Sequence, residues 1–482
     1  MSPLIIKTPG SYLAERKYIM NLIIKQWLGL EYEHQIWEKT YLQITENNGK
    51  KLSLNIVDTF FQTPEELWLT AKSLPVRPLC LMKMDNGLEG IPLTSDIIPI
   101  IFGNEVLFEN MPNGTWQQVQ PYLWTFENKF CLGVDIFGSA FFMLTRYEEY
   151  VNPERDKHDR YPAKASLAYQ EGFLDRPIIN EYLEIFWYCL KRIWPRLERK
   201  KRNFRIIVSH DVDVPFAQVF TGISRLIRNC GGDILRRKDL IMAIQRIRSW
   251  HAIRNGDYKK DLNYTFDHIM DISEQNNIKS AFYFKTACTN SSYDNNYPID
   301  HPYIRQLMRE IYERGHEIGF HSSYSAYNDL AQTCKEYERL RVVCEKEGIN
   351  QDQWGGRQHY LRWQVPITWH NWTEAGLNYD STLSYADQAG FRCGVCYEYP
   401  VYDLIERIQL PLIERPLIVM EGSILGKQYM NLKGWQARDT MHKLKAYCRK
   451  FNGDFTLLWH NSSFEMAANW DIYEEILNYK MT

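Results

Sequence analysis

The sequence predicts an α/β fold whose second half carries the chemistry, and three observations lead there. An apolar run, Phe204-Arg205-Ile206-Ile207-Val208, ends in Ser209-His210-Asp211-Val212-Asp213. Three further segments end in polar clusters: His316 to His321, Trp354 to Trp363 with Arg357 and His359, and Phe455 to Trp459 with His460 directly after it. Between them run stretches with helical spacing. Alternating strands and helices make an α/β fold, and such folds collect chemistry at the carboxyl ends of their strands.

Residues 1–200 lack these strand-end clusters and read as a mixed α+β N-terminal domain. Tyr18 to Leu28 predicts a helix, and Ile97 to Phe108 predicts strands because it is rich in β-branched and aromatic residues. Phe141 to Tyr150 predicts a helix with a charged end, and Asn180 to Ile193 another. Asp156 to Pro162 reads as a polar loop, either solvated or touching substrate or the catalytic half through Asp159, Arg160 and Tyr161. The basic stretch Arg196 to Arg202 is the expected linker to a catalytic domain at 203–482.

Ile206, Ile207 and Val208 suit a buried strand, and Pro215 stops it. Residues 217–260 form a basic insertion with ten Lys and Arg. Its Leu240, Ile241, Ile244 and Ile247 have helical spacing. The expectation is an amphipathic helix that covers the sheet and turns a basic face to water. The alternative is contact with an anionic substrate or with the surface of a membrane. Leu262 to Ser273 predicts a helix and Ser280 to Phe284 a strand. Tyr303 to Arg314 is a helix with Ile304, Leu307, Met308 and Ile311 on one face, stopped at Gly315. Helices follow at Asp329 to Glu347, Pro366 to Ala375, with Pro near its first position, and Trp435 to Phe451.

Asp211 and Asp213 point to the same side of an extended strand. Two carboxylates so placed repel unless a cation or a proton lies between them. The plainer reading is a turn Asp followed by a helix-capping Asp. Four strand ends bearing Asp/Asp, His, Arg/His and His are hard to explain as packing.

The order strand–Asp-x-Asp, Gly-His-Glu-Ile-Gly-x-His-Ser, Arg-x-x-Tyr and Leu-x-x-His resembles the polysaccharide deacetylases, the nodulation-type carbohydrate esterases, over residues 203–482. The resemblance implies a distorted (β/α) barrel, a divalent metal, usually zinc, and removal of an N- or O-acetyl group from a sugar. It implies that Asp211 is the general base and that Asp213 and His321 are metal ligands. In that scheme Arg357 fixes Asp211 as the anion, and His460 protonates the leaving group, which suits its unperturbed pKa of ~6.5. The family usually has adjacent Asp residues. Here Val212 separates them, as in a branch similar to certain peptidoglycan-type and imide-cleaving relatives. The family's second histidine, four residues after the first, is replaced by Ser325, a poor zinc ligand. His359 is the expected substitute. The other reading leaves His359 to substrate or structure, with Glu317 or a water completing the shell. Asp380 is either close around the same site or a strand-end turn residue. Ser325, Tyr360 and Trp459 are further candidates for substrate contact, and Asp387 with Arg392 for a pair near the mouth. Residues 1–200 resemble the domain that accompanies some deacetylases of bacterial polysaccharide loci.

The expected partner is an acetylated sugar or a lipid-linked or nucleotide-linked glycan. The formal net charge of −2 suggests no nucleic acid. Aromatic residues make up 14% of the chain, common in carbohydrate sites but mostly core. No targeting segment stands out, and apolar runs fall short of the ~20 residues of a membrane span. With ten cysteines and no dense disulfide pattern, the expectation is a cytoplasmic protein with reduced thiols. Cys393 and Cys396 lack the second pair a structural zinc needs. Two other functions stay open: a hydrolase of the same fold acting on another amide or a cyclic imide, and a catalytically silent carbohydrate-binding or scaffolding relative.

Overall fold

Two large sheets organise the chain. The computed structural model describes residues 3–46, 52–84, 91–105, 116–127, 129–295, 297–464 and 467–478. The first sheet uses β1 (Leu4–Thr8), β2 (Tyr32–Ile36), β3 (Tyr41–Glu46) and β4 (Ser53–Val57). A separate pair follows, β5 (Cys80–Lys83) with β6 (Ile97–Ile100). Then β7 (Gln117–Gln120), β8 (Leu123–Phe126) and β9 (Lys129–Leu132) complete the first sheet in the order β2-β1-β3-β4-β9-β8-β7.

The second sheet positions the site. Its strands are β10 (Arg205–Val212), β11 (Ala281–Lys285), β12 (Glu317–Ser322), β13 (Gly355–Gln358), β14 (Tyr379–Asp380), β15 (Tyr399–Asp403), β16 (Ile408–Glu414), β17 (Val419–Met420) and β18 (Asp454–Leu458). They lie in the order β15-β16-β14-β13-β12-β11-β10-β18-β17. Each of these pairings is parallel except that of β15 with β16. The central strands β10, β11, β12 and β18 are buried along nearly their whole length, as near-continuous apolar runs demand.

Register does the rest. Val212 pairs with Phe284, Lys285 with His321, and His321 with Arg357. Asp213, one residue past Val212, therefore enters the row of Lys285, His321 and Arg357. Two glycines allow the strands to approach. A Cβ on Gly356 would stand 1.7 Å from the Phe320 carbonyl oxygen, and one on Gly319 would stand 2.3 Å from the Tyr283 ring.

Several elements differ in detail from expectation. The helix Leu13–Met20 continues into a wider turn at Asn21–Trp27. The helix expected over 141–150 is two, Ile136–Leu144 and Tyr147–Val151, broken at Arg146, whose φ is 56°. Arg146 turns its guanidinium inward onto Glu148 (3.0 Å) and Glu149 (2.8 Å). The strand at Ile97 ends at Ile100, and residues 106–108 of that expectation lie outside the described residues. The helix expected from Leu262 starts only at Phe266. The Asp261 carboxylate accepts the N–H groups of Ala217, Gln218, Val219 and Asn263, which fixes this stretch as a turn.

Residues 1–200 pack onto the second half, and one buried core cluster runs from Leu4 to Leu477. Tyr18 donates its hydroxyl to the Pro400 carbonyl at 2.7 Å. Glu149 bridges Arg146 and Arg392, the latter at 2.5 Å. Arg392 is thus paired with Glu149 and not with Asp387, which instead accepts the Ala163 N–H at 3.2 Å. The loop at 156–162 is no solvated loop either. His158, Arg160 and Tyr161 are buried, and Arg160 Nη1 donates to the Tyr360 carbonyl at 3.0 Å. Cys393 and Cys396 are buried free thiols in the core.

The insertion is a helical hairpin of Ile223–Gly232 and Leu240–Arg254. Leu226, Cys230 and Ala243, with Trp250 beside them, hold its arms together. Leu240, Ile241, Ile244 and Ile247 do not cover the sheet as expected; they face solvent. No helix among the described residues is long and apolar enough to cross a membrane.

Candidate active site

Asp213, His321 and His359 each offer a ligand atom to one point, all within 4.8 Å of one another. Asp213 Oδ1 lies 3.2 Å from His359 Nε2 and 3.5 Å from His321 Nε2. Neighbouring ligand atoms around a tetrahedral ion bound at ~2.0–2.1 Å stand about 3.3 Å apart, so these spacings fit a shared cation. His321 Nε2 is buried with no hydrogen-bond partner, and Asp213 Oδ1 is buried with only the Lys285 ammonium, 2.9 Å away, beside the two imidazoles. A buried polar atom left so is costly unless something else occupies the point it faces.

The backs of the imidazoles are fixed. His321 Nδ1 faces the Arg357 carbonyl oxygen at 2.9 Å and donates to it, which leaves the Nε2 lone pair toward Asp213. His359 Nδ1 faces Asp294 Oδ1 at 2.7 Å, so its Nε2 also turns inward. His359 is not on the strand; β13 ends at Gln358, and a short turn swings the ring into place. Asp294 accepts further N–H groups from Thr289, Asn290 and Tyr324. Burial pushes its carboxyl up, but the His359 and backbone hydrogen bonds outweigh this and bring it down to about 2.

Asp211 sits behind Asp213. Its Oδ1 takes a 2.7 Å bond from Arg357 Nη1, which leaves Oδ2 free of the guanidinium, 3.8 Å from His321 Nε2. Arg357 is fully buried and also donates to the Ser381 carbonyl and Ser209 Oγ. Burial opposes ionisation of Asp211, yet Arg357 and the nearby imidazoles hold its carboxyl below the usual range. For Asp213 burial is likewise outweighed, by the charges of His359 and Lys285, and its carboxyl lies well below that range. On the far side, His460 Nε2 faces Asp213 Oδ2 at 3.8 Å while its Nδ1 pairs with Glu421 Oε1 at 2.7 Å. Burial disfavours the imidazolium, but Glu421 more than offsets this and pushes His460 up to about 10.

A cavity of 240 Å³ reaches these groups, lined by Asp211, Asp213, His359, His460, Tyr360 and Arg160 among others. A second, of 470 Å³, reaches Asp213 and Asp294 from the side of Thr221 and Arg225. Tyr360, at φ 62°, stands between the His158 and His359 rings.

Three expected residues lie elsewhere. Ser325 is exposed, outside the cluster, with its N–H donated to Thr289 Oγ1. The Trp459 ring is fully buried against Phe464 and Tyr473, behind the site. Asp380 is a buried turn residue that takes the Thr382 N–H and hydroxyl, and Thr382 in turn receives the Gln358 N–H. Burial pushes Asp380 up to about 7. It braces the end of β13 without touching the cluster.

Sequence reading missed Lys285, Asp294 and Glu421. Lys285 Nζ lies 2.9 Å from Asp213 Oδ1, and the side chain is 2% exposed. Its strand register with His321 was the available signal. Asp294 follows no strand pattern and carried none; Glu421 directly follows the apolar strand Val419–Met420, which was its available signal.

Residues 4–195 match a family of unknown function, DUF7033. No curated protein matches the chain. Similar solved structures include a putative polysaccharide deacetylase from Mycobacterium smegmatis, at 15% identity over 60% of this chain and 87% of that one, with a TM-score of 0.36. Another is Puue allantoinase, at 14% identity over 59% and 85%, TM-score 0.35. A third is a probable polysaccharide deacetylase from Pseudomonas aeruginosa PAO1, at 14% identity over 66% and 91%, TM-score 0.35.

Proposed function

We propose that the chain is a metal-dependent hydrolase that removes an N- or O-linked acetyl group from a sugar or polysaccharide precursor. The observation that carries this reading is the convergence of Asp213, His321 and His359 between an Arg-held carboxylate and a Glu-held imidazole. Asp213, His321 and His359 would hold a divalent cation, which would supply Lewis-acid chemistry toward an acyl carbonyl and a water.

The chain's own groups handle the protons. Asp211 keeps Oδ1 on Arg357 and has Oδ2 to take the proton of the attacking water. As the water oxygen bonds to the acyl carbon, the bond from that carbon to the sugar nitrogen or oxygen breaks. His460, charged by its pairing with Glu421, presents Nε2 to the cavity and gives its proton to the departing atom. Acetate and the free amine or hydroxyl are the products. Arg160, Tyr360 and Tyr429 form the wall that a sugar would meet.

The test is acetate release from a panel of N- and O-acetylated sugars, with cyclic imides in parallel. Asp211→Asn should lose turnover by a factor on the order of 10²–10⁴, with bound metal unchanged. Turnover of imides alone, or full activity in Asp211→Asn, contradicts the assignment.

A further inference from the structure

The hairpin at 223–254 presents an apolar face that nothing among the described residues covers. On its first arm Ile223 and Ile227 are four residues apart, and Ile234 continues their line. On the second arm Leu240, Ile244 and Ile247 recur at i, i+4 and i+7, the spacing of one helical face. In each arm the stripe lies clockwise, viewed from the N-terminus, of the contact that joins the arms through Leu226, Cys230 and Ala243. Because the arms run antiparallel, both stripes come out on the same side. Leu235, at the bend, is 80% exposed, Ile241 is 71% and Ile227 is 67%. Asp233 and Ile253, on the opposite side, are buried.

The charge of the hairpin is as distinctive as its apolar face. Residues 222–254 hold eight Lys and Arg against two Asp, a net of six positive charges in a chain whose formal net charge is −2. One of the acids, Asp233, is buried and already paired with Arg237 and Arg246. Arg225, Arg228, Arg236, Lys238, Arg248 and Arg254 stand exposed around the apolar stripe. Isoleucine and leucine bordered by arginine suit the boundary between acyl chains and anionic headgroups. A second protein surface would have to be apolar and acidic together.

We propose that this hairpin seats the protein on an anionic lipid surface, with the isoleucine and leucine side chains entering the headgroup boundary. The seat adjoins the site: the 470 Å³ cavity that reaches Asp213 and Asp294 opens past Thr221 and Arg225 at the root of the hairpin.

The proposal does not depend on the reaction, and its test needs no turnover. Full-length protein is sedimented with phosphatidylcholine vesicles, with and without about 30 mol% phosphatidylglycerol. Expected is binding to the anionic vesicles that weakens steeply as salt rises. Arg228→Gln/Arg236→Gln/Arg248→Gln should weaken it on the order of a hundredfold, since each juxtamembrane cation contributes about four- to sixfold. Leu235→Ser/Ile244→Ser should weaken it at least about tenfold. All five side chains are exposed, so circular dichroism should be unchanged. Absence of binding overturns the proposal, as does equal binding to neutral vesicles. Sedimentation velocity is run on the same samples. A wild-type dimer that Leu235→Ser/Ile244→Ser dissolves, without vesicle binding, would assign the face to a second copy and also overturn it.

Discussion

Replacing Arg357 by Met strikes the pair on which the site's electrostatics rest. The guanidinium is fully buried, bonded to Asp211 at 2.7 Å, to the Ser381 carbonyl at 2.8 Å and to Ser209 Oγ at 2.9 Å. Methionine fills similar space but leaves the buried Asp211 carboxylate uncompensated. Removing one partner of a buried ion pair costs about 3–5 kcal/mol. Much of that cost belongs to the abandoned charge, so neutralising it should restore stability. Arg357→Met/Asp211→Asn should therefore fall short of the sum of the single variants by about 2 kcal/mol, a coupling normal for residues in contact. The assay is urea unfolding of chelator-treated protein followed by tryptophan fluorescence, with stability taken from the midpoint and slope. A cost below about 1 kcal/mol for Arg357→Met, or single costs that simply add, would refute the claim that Arg357 exists to hold Asp211 ionised.

Three further outcomes follow from the same geometry. Lys285→Met removes a cation 2.9 Å from Asp213 Oδ1, so chelator competition should show zinc or cobalt bound about tenfold or more tightly; weaker binding would make the ammonium a support and not a rival. Glu421→Gln takes away the charge that raises His460 to about 10, so the alkaline limb of the pH–rate profile should move to lower pH; an unmoved limb would remove His460 as the acid. His210 is fully buried, its Nδ1 bonded to the Trp459 carbonyl, and burial brings it down to about 4 from 6.5. The unfolded chain takes up that proton first, so stability is lost as the pH falls from 6.5 through 4, by about 3 kcal/mol in all. His210→Gln should flatten the curve of unfolding free energy against pH in that window.

The strand ends were legible because their chemistry interrupts apolar runs. Asp211, Asp213, His321 and His460 each close or follow a β segment, and the parallel register brings them together. His359 was legible as a candidate from the vacancy at Ser325, but not its mechanism of arrival, a turn after Gln358 braced by Asp294. Asp294 acts from a loop, where no periodicity announces a partner, and Glu421 opens the short helix Glu421–Leu425 directly after the strand Val419–Met420. Lys285 directly follows the expected strand Ser280–Phe284, and only register shows it against a carboxylate. Arg392 was misassigned because pairing across long sequence separation leaves no local trace; Glu149, its partner, is 243 residues away. The insertion's second helix was readable from spacing, but the first, Ile223–Gly232, and the orientation of both were not. Periodicity shows that a face exists and is silent on whether anything covers it.

Metal content tests whether Asp213, His321 and His359 hold a cation. Purified wild type and His359→Ala, with folding verified in both, are supplied with zinc or cobalt, desalted and measured by elemental analysis. About one divalent ion per chain is expected in wild type, and its loss in His359→Ala. Wild type that takes up no ion, or a variant that keeps it, would contradict the assignment of Asp213, His321 and His359 as the ligands.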